Sequence, residues 1–545
     1  MVQPRRRHRP SDATHPASQA FDLRDLESLL RTCTTRRQWF IAAMTSLAVI
    51  VLYRSGSSTR KHHRALKYDR DRGAERPTFA ALPELSDRRR LWPPDPNDPI
   101  CQPKIYVHDL PAGLVLPEAT ISQCRWSAYN SELALHSLLT SPDGPAYPRS
   151  LLTTDPASAD LFLIPMFPAC YLFDCWVKAG WIKTERCDVD ASYIQPIMDY
   201  ISTSPETSEY WQRNDGEDHL IFHPMDHGDG YYTEKSRAAM NLSNYLVTVG
   251  DLRPPPYSKH FRRYKDLVIP SSTHLLNSYH FNPMDYLDES GNPLSTPREA
   301  ADPKKPTPPR TRAEIFVPSA PAPASGFISR FFSSSPSKQA KIAAFSRSHR
   351  PTTAIFRGGV GEAKDGESYA LGIRSLFFPS DGDPTTPPFS SSIHDGFSSL
   401  PDYDLALQSE NHDYALALSR AKFGLAPPGY TLDTTRIYEY LAFGVVPVFI
   451  GTGQIAGQVL PFQNDVDWSS FSIEIPRDQA HRVPEILQGI LDDGGRYEVL
   501  REKVWKVGRL LVLEQGQGNV WKWLARDLCR LRRIGTGAGS EIANN

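Results

Sequence analysis

The sequence predicts an α/β fold in which strands and helices alternate to build parallel sheets. Short apolar runs bounded by Gly and Pro recur along the chain, and amphipathic segments lie between them. The clearest unit spans residues 421–468. It contains the apolar run Phe423–Ala426, a Pro-Pro-Gly turn, a segment of helical spacing and the apolar run Val445–Ile450. Such β-turn-α-β units build parallel sheets, and 545 residues are enough for two or three domains.

In the first half of the chain, apolar strand segments alternate with helical ones. The predicted strands are 104–110, Leu161–Ile164, His219–Phe222 and Asp266–Pro270, and the clearest helix is 129–139. This alternation is typical of a doubly wound α/β domain. We therefore place a Rossmann-like domain at residues 99–281.

The second half begins after a change of composition. Residues 282–350 are rich in Pro, Ser, Lys and Ala and have too few apolar side chains to bury a core, so they are predicted to be a linker or surface insertion. Strand character resumes at Thr353–Phe356 and a Gly-rich turn follows. We place a second Rossmann-like domain at 351–480 and amphipathic helices at 481–545.

The N-terminal residues predict a membrane anchor. Residues 1–38 are basic and polar, and the uncharged stretch 39–53 has Trp39 and Tyr53 at its ends. Aromatic ends and positive charge on the N-terminal side favour a span with a cytosolic N-terminus. The span is short, which suits the thinner membranes of the early secretory pathway. A buried core helix and a signal peptide are the alternatives. Residues 54–98 are predicted to be a flexible stem.

Charge and cysteine content narrow the class of protein. The formal net charge is -1, so the basic surface expected of a nucleic-acid-binding protein is missing. All cysteines except Cys33 follow the predicted anchor, and an even number in an oxidising lumen permits up to three disulfides with fifteen connectivities. Zinc binding by Cys170 and Cys175 is less favoured, because no second close pair of Cys or His accompanies them.

Polar residues of the unit 421–468 indicate a ligand site. Gly429 lies in the turn after the first strand, and Thr435, Arg436 and Glu439 occupy the start of the helix. Ligands of open α/β sheets bind at the carboxyl ends of the strands, and helix N-termini there favour phosphate. An arginine for a diphosphate and a glutamate for ribose or sugar hydroxyls would bind a nucleotide-sugar. The alternative is a surface ion pair between Arg436 and Glu439.

A set of ordered motifs in the same unit resembles one known family. The set consists of Pro427-Pro428-Gly429, Thr435-Arg436, Glu439, Gly444, Pro447, Leu460-Pro461-Phe462 and Asp467-Trp468. It is similar to the C-terminal signature of exostosin-type glycosyltransferases. Strand segments of the first half resemble the same family in the same order, which extends the resemblance from about residue 103 to about residue 475. One departure is Val445-Val446, where such proteins usually have Cys-Ile or a similar pair.

The resemblance implies a GT-B type enzyme, in which two facing Rossmann-like domains bind the acceptor and the donor. By that resemblance Arg357 and Gly358 belong to the donor site of the second domain. Arg374 is a weaker candidate, because an arginine on a helix surface is the commoner case. No metal or other cofactor is expected, since an arginine and a helix N-terminus can neutralise the leaving diphosphate of the donor. The donor is expected to be a UDP-sugar.

The resemblance also implies an inverting transfer, which needs one base to take the proton of the acceptor hydroxyl. His223, Asp226, His227 and Asp229 crowd the loop after a predicted strand, where catalytic groups tend to lie. We expect Asp226 to be the base, with His223 or His227 as the next candidates, and His108 to lie on the acceptor side. The alternatives are a loop held by side-chain hydrogen bonds and, less favoured, a two-histidine-one-carboxylate metal site.

These expectations describe a single-pass type II protein of the Golgi membrane with a luminal catalytic part. It would move a sugar from a nucleotide-sugar donor to a glycan or polysaccharide acceptor, without binding nucleic acid. Association with further copies or with other subunits is left open. The alternative is a non-catalytic glycan-binding or co-polymerase subunit of the same fold, and a nucleotide-sugar titration separates the two.

Overall fold

The computed structural model describes residues 102–533 with gaps. The described ranges are 102–125, 127, 130–180, 187–226, 228–253, 261–278, 281–295, 350–359, 369–377, 397–406, 411–515 and 518–533. The predicted cytosolic tail, signal anchor and stem lie outside these ranges, as does most of the predicted insertion. Within them, every helix is too short or too polar to cross a bilayer.

The first sheet confirms the prediction of a parallel α/β fold. Its strands are β1 (Ile105–Val107), β2 (Leu161–Leu163), β3 (His219–His223), β4 (Asn244–Val247) and β6 (Leu267–Val268), in that order across the sheet. The short β5 (Gly250–Asp251) is not part of it. Each neighbouring pair is parallel. The segments that follow these strands therefore meet at one edge of the sheet. Strand β4 was not predicted from the sequence.

Helices connect these strands. They are α1 (Glu118–Arg125), α2 (Ser131–Thr140), α3 (Ala146–Ser150), α4 (Pro168–Lys178), α5 (Gln195–Thr203), α6 (Ser208–Arg213) and α7 (Glu234–Ala239). Proline occupies the first turn of α4, where its missing N–H interrupts no helical hydrogen bond. Helix α2 buries Leu135, Leu138 and Leu139 in the core, as its spacing predicts.

The second sheet has a different strand order. Its parallel strands are β12 (Ile473–Ile475), β10 (Val446–Ile450), β9 (Ala421–Ala426), β7 (Thr352–Arg357) and β8 (Tyr403–Ala406), in that order. The first strand of this half, β7, thus lies between β8 and β9, the second and third strands along the chain. The direction of strand addition reverses between β7 and β9. At such a switch point the connections leave in opposite directions, which opens a crevice at the carboxyl ends of the two strands.

The helices of the second half are α8 (Asn411–Arg420), α9 (Arg436–Ala442), α10 (Val483–Asp492), α11 (Arg496–Lys506) and α12 (Asn519–Arg533), and a 3₁₀ segment covers Ala370–Phe377. Helix α9 begins after Thr435, whose side chain makes no capping hydrogen bond. Asp433 and Thr434, whose side chains suit a helix cap, lie two residues and one residue before this N-cap position.

Residues 497–513, part of the region 481–545 predicted to form amphipathic helices, do not form one continuous helix. Helix α11 ends at Lys506, and a 3₁₀ turn follows at Gly508–Leu511. A Cβ atom on Gly508 would lie 2.7 Å from Leu441 Cδ2 of helix α9. Glycine at position 508 leaves room for this close approach of the two segments.

The two halves contact each other through several elements. Strand β11 (Gln458–Val459) pairs antiparallel with β5. The indole N–H of Trp521 on α12 donates to the carbonyl of Leu135 at 3.0 Å, so the last helix of the second half packs against the first half. The buried guanidinium of Arg350 donates to the carbonyls of Gly291, Ala421 and Phe443.

The cysteines form disulfides rather than a zinc site. Cys124 pairs with Cys170, and Cys175 pairs with Cys187. Cys529 is disulfide-bonded as well. No group of three or more metal-ligating side chains occurs in the described ranges. The pairing of Cys170 and Cys175 with different partners excludes a shared metal on that pair.

Candidate active site

The predicted donor residues lie at the switch point of the second sheet. Arg357 ends β7, and Gly358 follows it. Gly429 lies in the turn after the neighbouring strand β9, and Arg436 begins α9. The parallel pairing of β7 with β9 brings these segments to one edge of the sheet. Strand order, which the sequence did not reveal, thus joins two motifs about seventy residues apart.

Two guanidinium groups flank one aromatic ring at this edge. The Cζ atom of Arg436 lies 4.9 Å from the ring centre of Phe356, and that of Arg374 lies 5.3 Å from it. A Cβ atom on Gly358 would lie 2.7 Å from Arg436 Nη2. Glycine is therefore needed for the guanidinium to reach this position. We call Phe356, Arg374 and Arg436 the arginine cluster.

Arg374 is buried, contrary to the expectation of a surface arginine. Its side chain is only 4% exposed. Its Nη1 donates to the Gly359 carbonyl at 2.9 Å and to the Tyr369 hydroxyl at 2.6 Å, while its Nε has no partner in the described structure. Burial and then the nearby charge of Arg436 lower the pKa of Arg374 to about 10. A second charge close to a buried guanidinium is costly unless an anion joins them.

No carboxylate of the described ranges forms an ion pair with Arg374 or Arg436. The Nη1 of Arg436 instead donates to the hydroxyl of Thr434 at 3.1 Å. Two guanidiniums that form no ion pair with a carboxylate of the described ranges, although the charge of Glu439 acts on Arg436, are suited to a phosphate or diphosphate group, which accepts several charge-assisted hydrogen bonds.

Arg357 differs from these two arginines. Its Nη1 lies 2.5 Å from Asp404 Oδ1 on the edge strand β8. The guanidinium therefore already has a carboxylate partner, and donor binding by Arg357 stays a prediction. Asp404 belongs to one of the D-x-D pairs of the sequence, and the ion pair gives that aspartate a structural role.

Glu439 lies inside the protein and not on its surface. Its Oε1 accepts from the backbone N–H of Leu275 at 3.2 Å, and its Oε2 accepts from the Tyr414 hydroxyl at 3.0 Å. Burial raises its pKa, against the opposing effect of Arg436. The surface ion pair is therefore excluded. Glu439 joins helix α9 to a segment of the first half, and its predicted contact with ribose or sugar hydroxyls is untested.

Gly429 and Thr435, also predicted as donor residues, form backbone hydrogen bonds near the arginine cluster. Gly429 donates its N–H to the carbonyl of Thr431, and its own carbonyl accepts from Ala370 N–H at 3.0 Å. The second bond ties the turn after β9 to the 3₁₀ segment that carries Arg374. The carbonyl of Thr435 accepts from Tyr438 N–H at the start of α9.

An aromatic pair lies beside the arginine cluster. The rings of Tyr369 and Tyr430 meet edge to face with centres 4.9 Å apart. Tyr430 follows Gly429 and is 69% exposed. An exposed aromatic ring next to the arginine cluster offers a surface on which a flat ring of a ligand can stack.

On the first sheet, the histidines predicted to act as bases fall outside the crevice or outside the described ranges. His223 ends β3 but is fully buried between Tyr232 and Tyr245, with ring centres 4.9 and 4.2 Å away. Burial lowers its pKa to about 3, so it is a neutral core residue. His227 lies outside the described residues.

His108 also lies in the core and not on the acceptor side. It is 2% exposed, and its Nε2 lies 3.1 Å from the Nε2 of His219. The Nδ1 of His219 in turn lies 2.8 Å from Asp218 Oδ1. This chain of side chains satisfies two buried imidazoles, so the expectation for His108 was wrong.

Three loops after strands converge where the halves meet. Asp226, in the turn after β3, is exposed. Asp433, after β9, accepts from the hydroxyl of Ser271, after β6, at 2.6 Å. Burial and then the charge of Asp226 raise the pKa of Asp433 to about 7. Asp433 and Ser271 were missed as site residues, because only the contact between the halves brings them together.

Comparison with known proteins agrees with this geometry. Residues 101–301 and 315–490 match the family model of the Exostosin GT47 domain. The chain belongs to the exostosin GT47 family. It is therefore a glycosyltransferase.

Several plant proteins are similar over most of the chain. A probable glucuronosyltransferase of Oryza sativa subsp. japonica is 24% identical over 413 residues, which cover 75% of this chain and 74% of the relative. A probable beta-1,4-xylosyltransferase of Arabidopsis thaliana is 23% identical over 401 residues, which cover 72% of this chain and 73% of the relative.

Among solved structures, Anabaena HepE in complex with UDP-glucose has a TM-score of 0.29 at 9% identity, covering 78% of this chain and 100% of that one. A glycosyltransferase from Rickettsia africae has a TM-score of 0.30 at 8% identity, covering 80% and 98%. These similarities are too low to bear on the fold or the function.

Proposed function

We propose that this GT47 protein transfers a sugar, with inversion, from a nucleotide-diphosphate sugar to a hydroxyl of a glycan or polysaccharide. The observation that carries the proposal is the arginine cluster at the switch point. The cluster places the guanidiniums of the buried Arg374 and the half-buried Arg436 close to the start of helix α9. Neither guanidinium forms an ion pair with a carboxylate of the described ranges. Such a site supplies the charge that a leaving diphosphate needs.

The donor diphosphate would bind Arg374 and Arg436, and the nucleobase would stack on Tyr430. The backbone turn at Gly429 would lie close to the phosphates. Two guanidiniums and a helix start can stabilise the negative charge that develops on the leaving group. The proposed donor site therefore requires no metal ion, and a UDP-sugar is the donor we expect.

Asp226 would act as the base of the transfer. The acceptor oxygen attacks C1 of the donor sugar on the face opposite the diphosphate, and its proton passes to the Asp226 carboxylate. The bond between C1 and the phosphate oxygen breaks, and the electron pair stays on the diphosphate. The position of Asp226, exposed after β3 and close enough to Asp433 to act on its pKa, supports a place at the cleft between a GT-B pair of domains.

The same proposal includes the cellular compartment of the reaction. We infer that the predicted anchor 39–53 holds the enzyme in the Golgi membrane with its catalytic part in the lumen, and the disulfides support an oxidising compartment. The names of the plant relatives include glucuronosyl and xylosyl transfer, so sugars of plant-type polysaccharides are the first donors to test.

The test is release of free nucleotide from a panel of UDP- and GDP-sugars by the full-length protein, with glycan acceptors added. We expect release from at least one donor, and loss of most of that release in Asp226→Asn. Arg482→Gln is the control, because Arg482 pairs with Glu485 on an exposed surface. Absence of release with every donor and acceptor, while UDP still binds, would contradict the proposed transfer.

A further inference from the structure

We propose that Asn241 carries an Asn-linked glycan. Asn241, Leu242 and Ser243 form the sequence Asn-X-Ser with X other than proline, which is the acceptor signal for this modification in secreted and luminal proteins. We call these three residues the glycosylation signal. The inference goes beyond the proposed transfer reaction, but it rests on the luminal placement that is part of the proposed function.

The turn between helix α7 and strand β4 presents Asn241 to solvent. Asn241 and Leu242 are exposed, whereas Met240 and Ser243 on either side are buried. Arg262 holds the backbone of this turn, because its Nη1 donates to the carbonyl of Asn241 and its Nη2 donates to the carbonyl of Ser243. The turn is therefore fixed from the protein side, while Asn241 keeps the exposed position that a bulky surface modification requires.

The hydroxyl group of Ser243 makes no hydrogen bond in the folded protein. The residue is fully buried, and its Oγ has no partner in the part of the chain that the structure describes. A buried hydroxyl without a partner destabilises a fold, so packing alone would favour alanine at this place. The serine is explained if its hydroxyl is needed before folding, when the enzyme that attaches glycans recognises the extended chain.

The attachment is a transfer from a lipid-diphosphate-linked oligosaccharide, which is the co-reactant of the membrane enzyme of the early secretory pathway. The Nδ2 atom of Asn241 forms a bond with C1 of the first sugar. The bond between C1 and the diphosphate oxygen breaks, and its electron pair stays on the lipid diphosphate. One proton of the Asn241 amide passes to a base of that membrane enzyme.

The glycan would lie away from the proposed cleft. Asn241 precedes β4, whereas the turn that contains Asp226 follows β3, and these two strands are parallel neighbours. The two turns therefore lie at opposite edges of the first sheet. A bulky group on Asn241 would leave the crevice accessible to donor and acceptor.

Full-length protein produced in a eukaryotic host tests the proposal. We expect enzymatic removal of Asn-linked glycans to shift the wild type to lower mass on a denaturing gel. The same treatment should leave aspartate in place of Asn241, which mass spectrometry locates. Asn241→Gln and Ser243→Ala should run at the lower mass without treatment. A wild type that does not shift, or an Asn241→Gln protein that still does, would overturn the proposal.

Two control variants separate loss of the signal from loss of any side chain. Ser243→Thr keeps the glycosylation signal, and Asn214→Gln changes an exposed asparagine outside any such signal. Both proteins should run with the untreated wild type. Loss of the glycan in Ser243→Thr would contradict recognition through the hydroxyl.

A pair of variants without the glycan tests the role of the Ser243 hydroxyl in the fold. Asn241→Gln and the double variant Asn241→Gln/Ser243→Ala differ only in that hydroxyl. We expect the double variant to unfold at the same temperature or at a higher one. A lower unfolding temperature would show that the hydroxyl stabilises the fold, and would overturn its assignment to the glycosylation signal.

Protease treatment of sealed microsomes separates this inference from the proposed function. If the catalytic part is protected and carries no glycan, only the glycan site is wrong. If the protease digests the catalytic part, the luminal placement itself is wrong.

Discussion

Gly358 and Arg436 show how single atoms set the geometry of the proposed donor site. The missing side chain of Gly358 leaves room for Arg436 Nη2, which would lie 2.7 Å from a Cβ atom at that position. This distance is too short for any real contact, so a larger residue must displace the guanidinium. Burial likewise decides that the imidazole of His223 is neutral in the folded protein.

For Gly358→Ala we therefore expect UDP to bind about tenfold more weakly, because one charge-assisted hydrogen bond to the diphosphate is lost. Isothermal titration with UDP measures the change. Gly489→Ala is the control, since a Cβ atom there meets nothing within 4 Å. Equal affinity in both variants would show that Arg436 does not depend on the space left by Gly358.

His223 predicts a pH dependence of stability. Histidine in the unfolded chain takes up a proton near pH 6.5, whereas the folded protein does so only at about pH 3. The stabilisation is therefore fully present above pH 6.5 and is lost as the pH falls towards 3, at about 1.4 kcal/mol per pH unit. In His223→Phe this contribution is absent. Urea unfolding between pH 7 and pH 5 should show a shallower loss of stability for the variant, and parallel curves would contradict it.

At the scale of elements, the unit β9-turn-α9 depends on close packing between its strand and its helix. A Cβ atom on Gly424 of β9 would lie 2.4 Å from the ring of Tyr440 on α9. The Tyr440 hydroxyl also donates to the Leu425 carbonyl at 2.9 Å. The ring therefore holds the helix against the strand. This contact also sets the position of Arg436, the first residue of the helix.

Gly424→Ala should destabilise the protein by about 1–3 kcal/mol, because the ring of Tyr440 cannot move out of a packed core without strain. Urea denaturation provides the measurement, again with Gly489→Ala as control. A free energy of unfolding equal to that of the wild type would mean that helix and strand can separate at little cost.

Elements of this kind were largely predictable from the sequence. Local sequence rules are enough to predict strands β9 and β10, because both are buried and therefore appear as apolar runs. The same rules predict the turn at Pro-Pro-Gly and the end of the helix at Gly444 from the residue types alone. Local rules failed for β4 and β8, whose short segments lack a clear pattern. They also could not predict that Arg374 is buried, or that Asp433 meets Ser271, because both depend on contacts between distant segments.

At the scale of the whole molecule, disulfides crosslink the first half, and the last helix of the second half packs against it. Cys124–Cys170 closes a span of 46 residues and Cys175–Cys187 one of 12. Trp521 reaches from α12 to the Leu135 carbonyl. Long-range contacts thus crosslink the first half and join it to the last helix.

Replacing both cysteines of the longer link by alanine should cost more stability than replacing those of the shorter one, by about 1 kcal/mol, if loop entropy dominates. Each double variant is compared with the wild type by urea denaturation under non-reducing conditions. The reverse order would show that native packing around the disulfides, and not chain entropy, sets their effect.

The central claim is that the crevice between β7 and β9 binds a nucleotide diphosphate through Arg374 and Arg436. Isothermal titration of the full-length protein with UDP tests it most directly, using Arg374→Gln, Arg436→Gln and the surface control Arg482→Gln. We expect the wild type and the control to bind alike, and each cluster variant to bind at least about tenfold more weakly. Equal UDP affinity in all four proteins would contradict the claim.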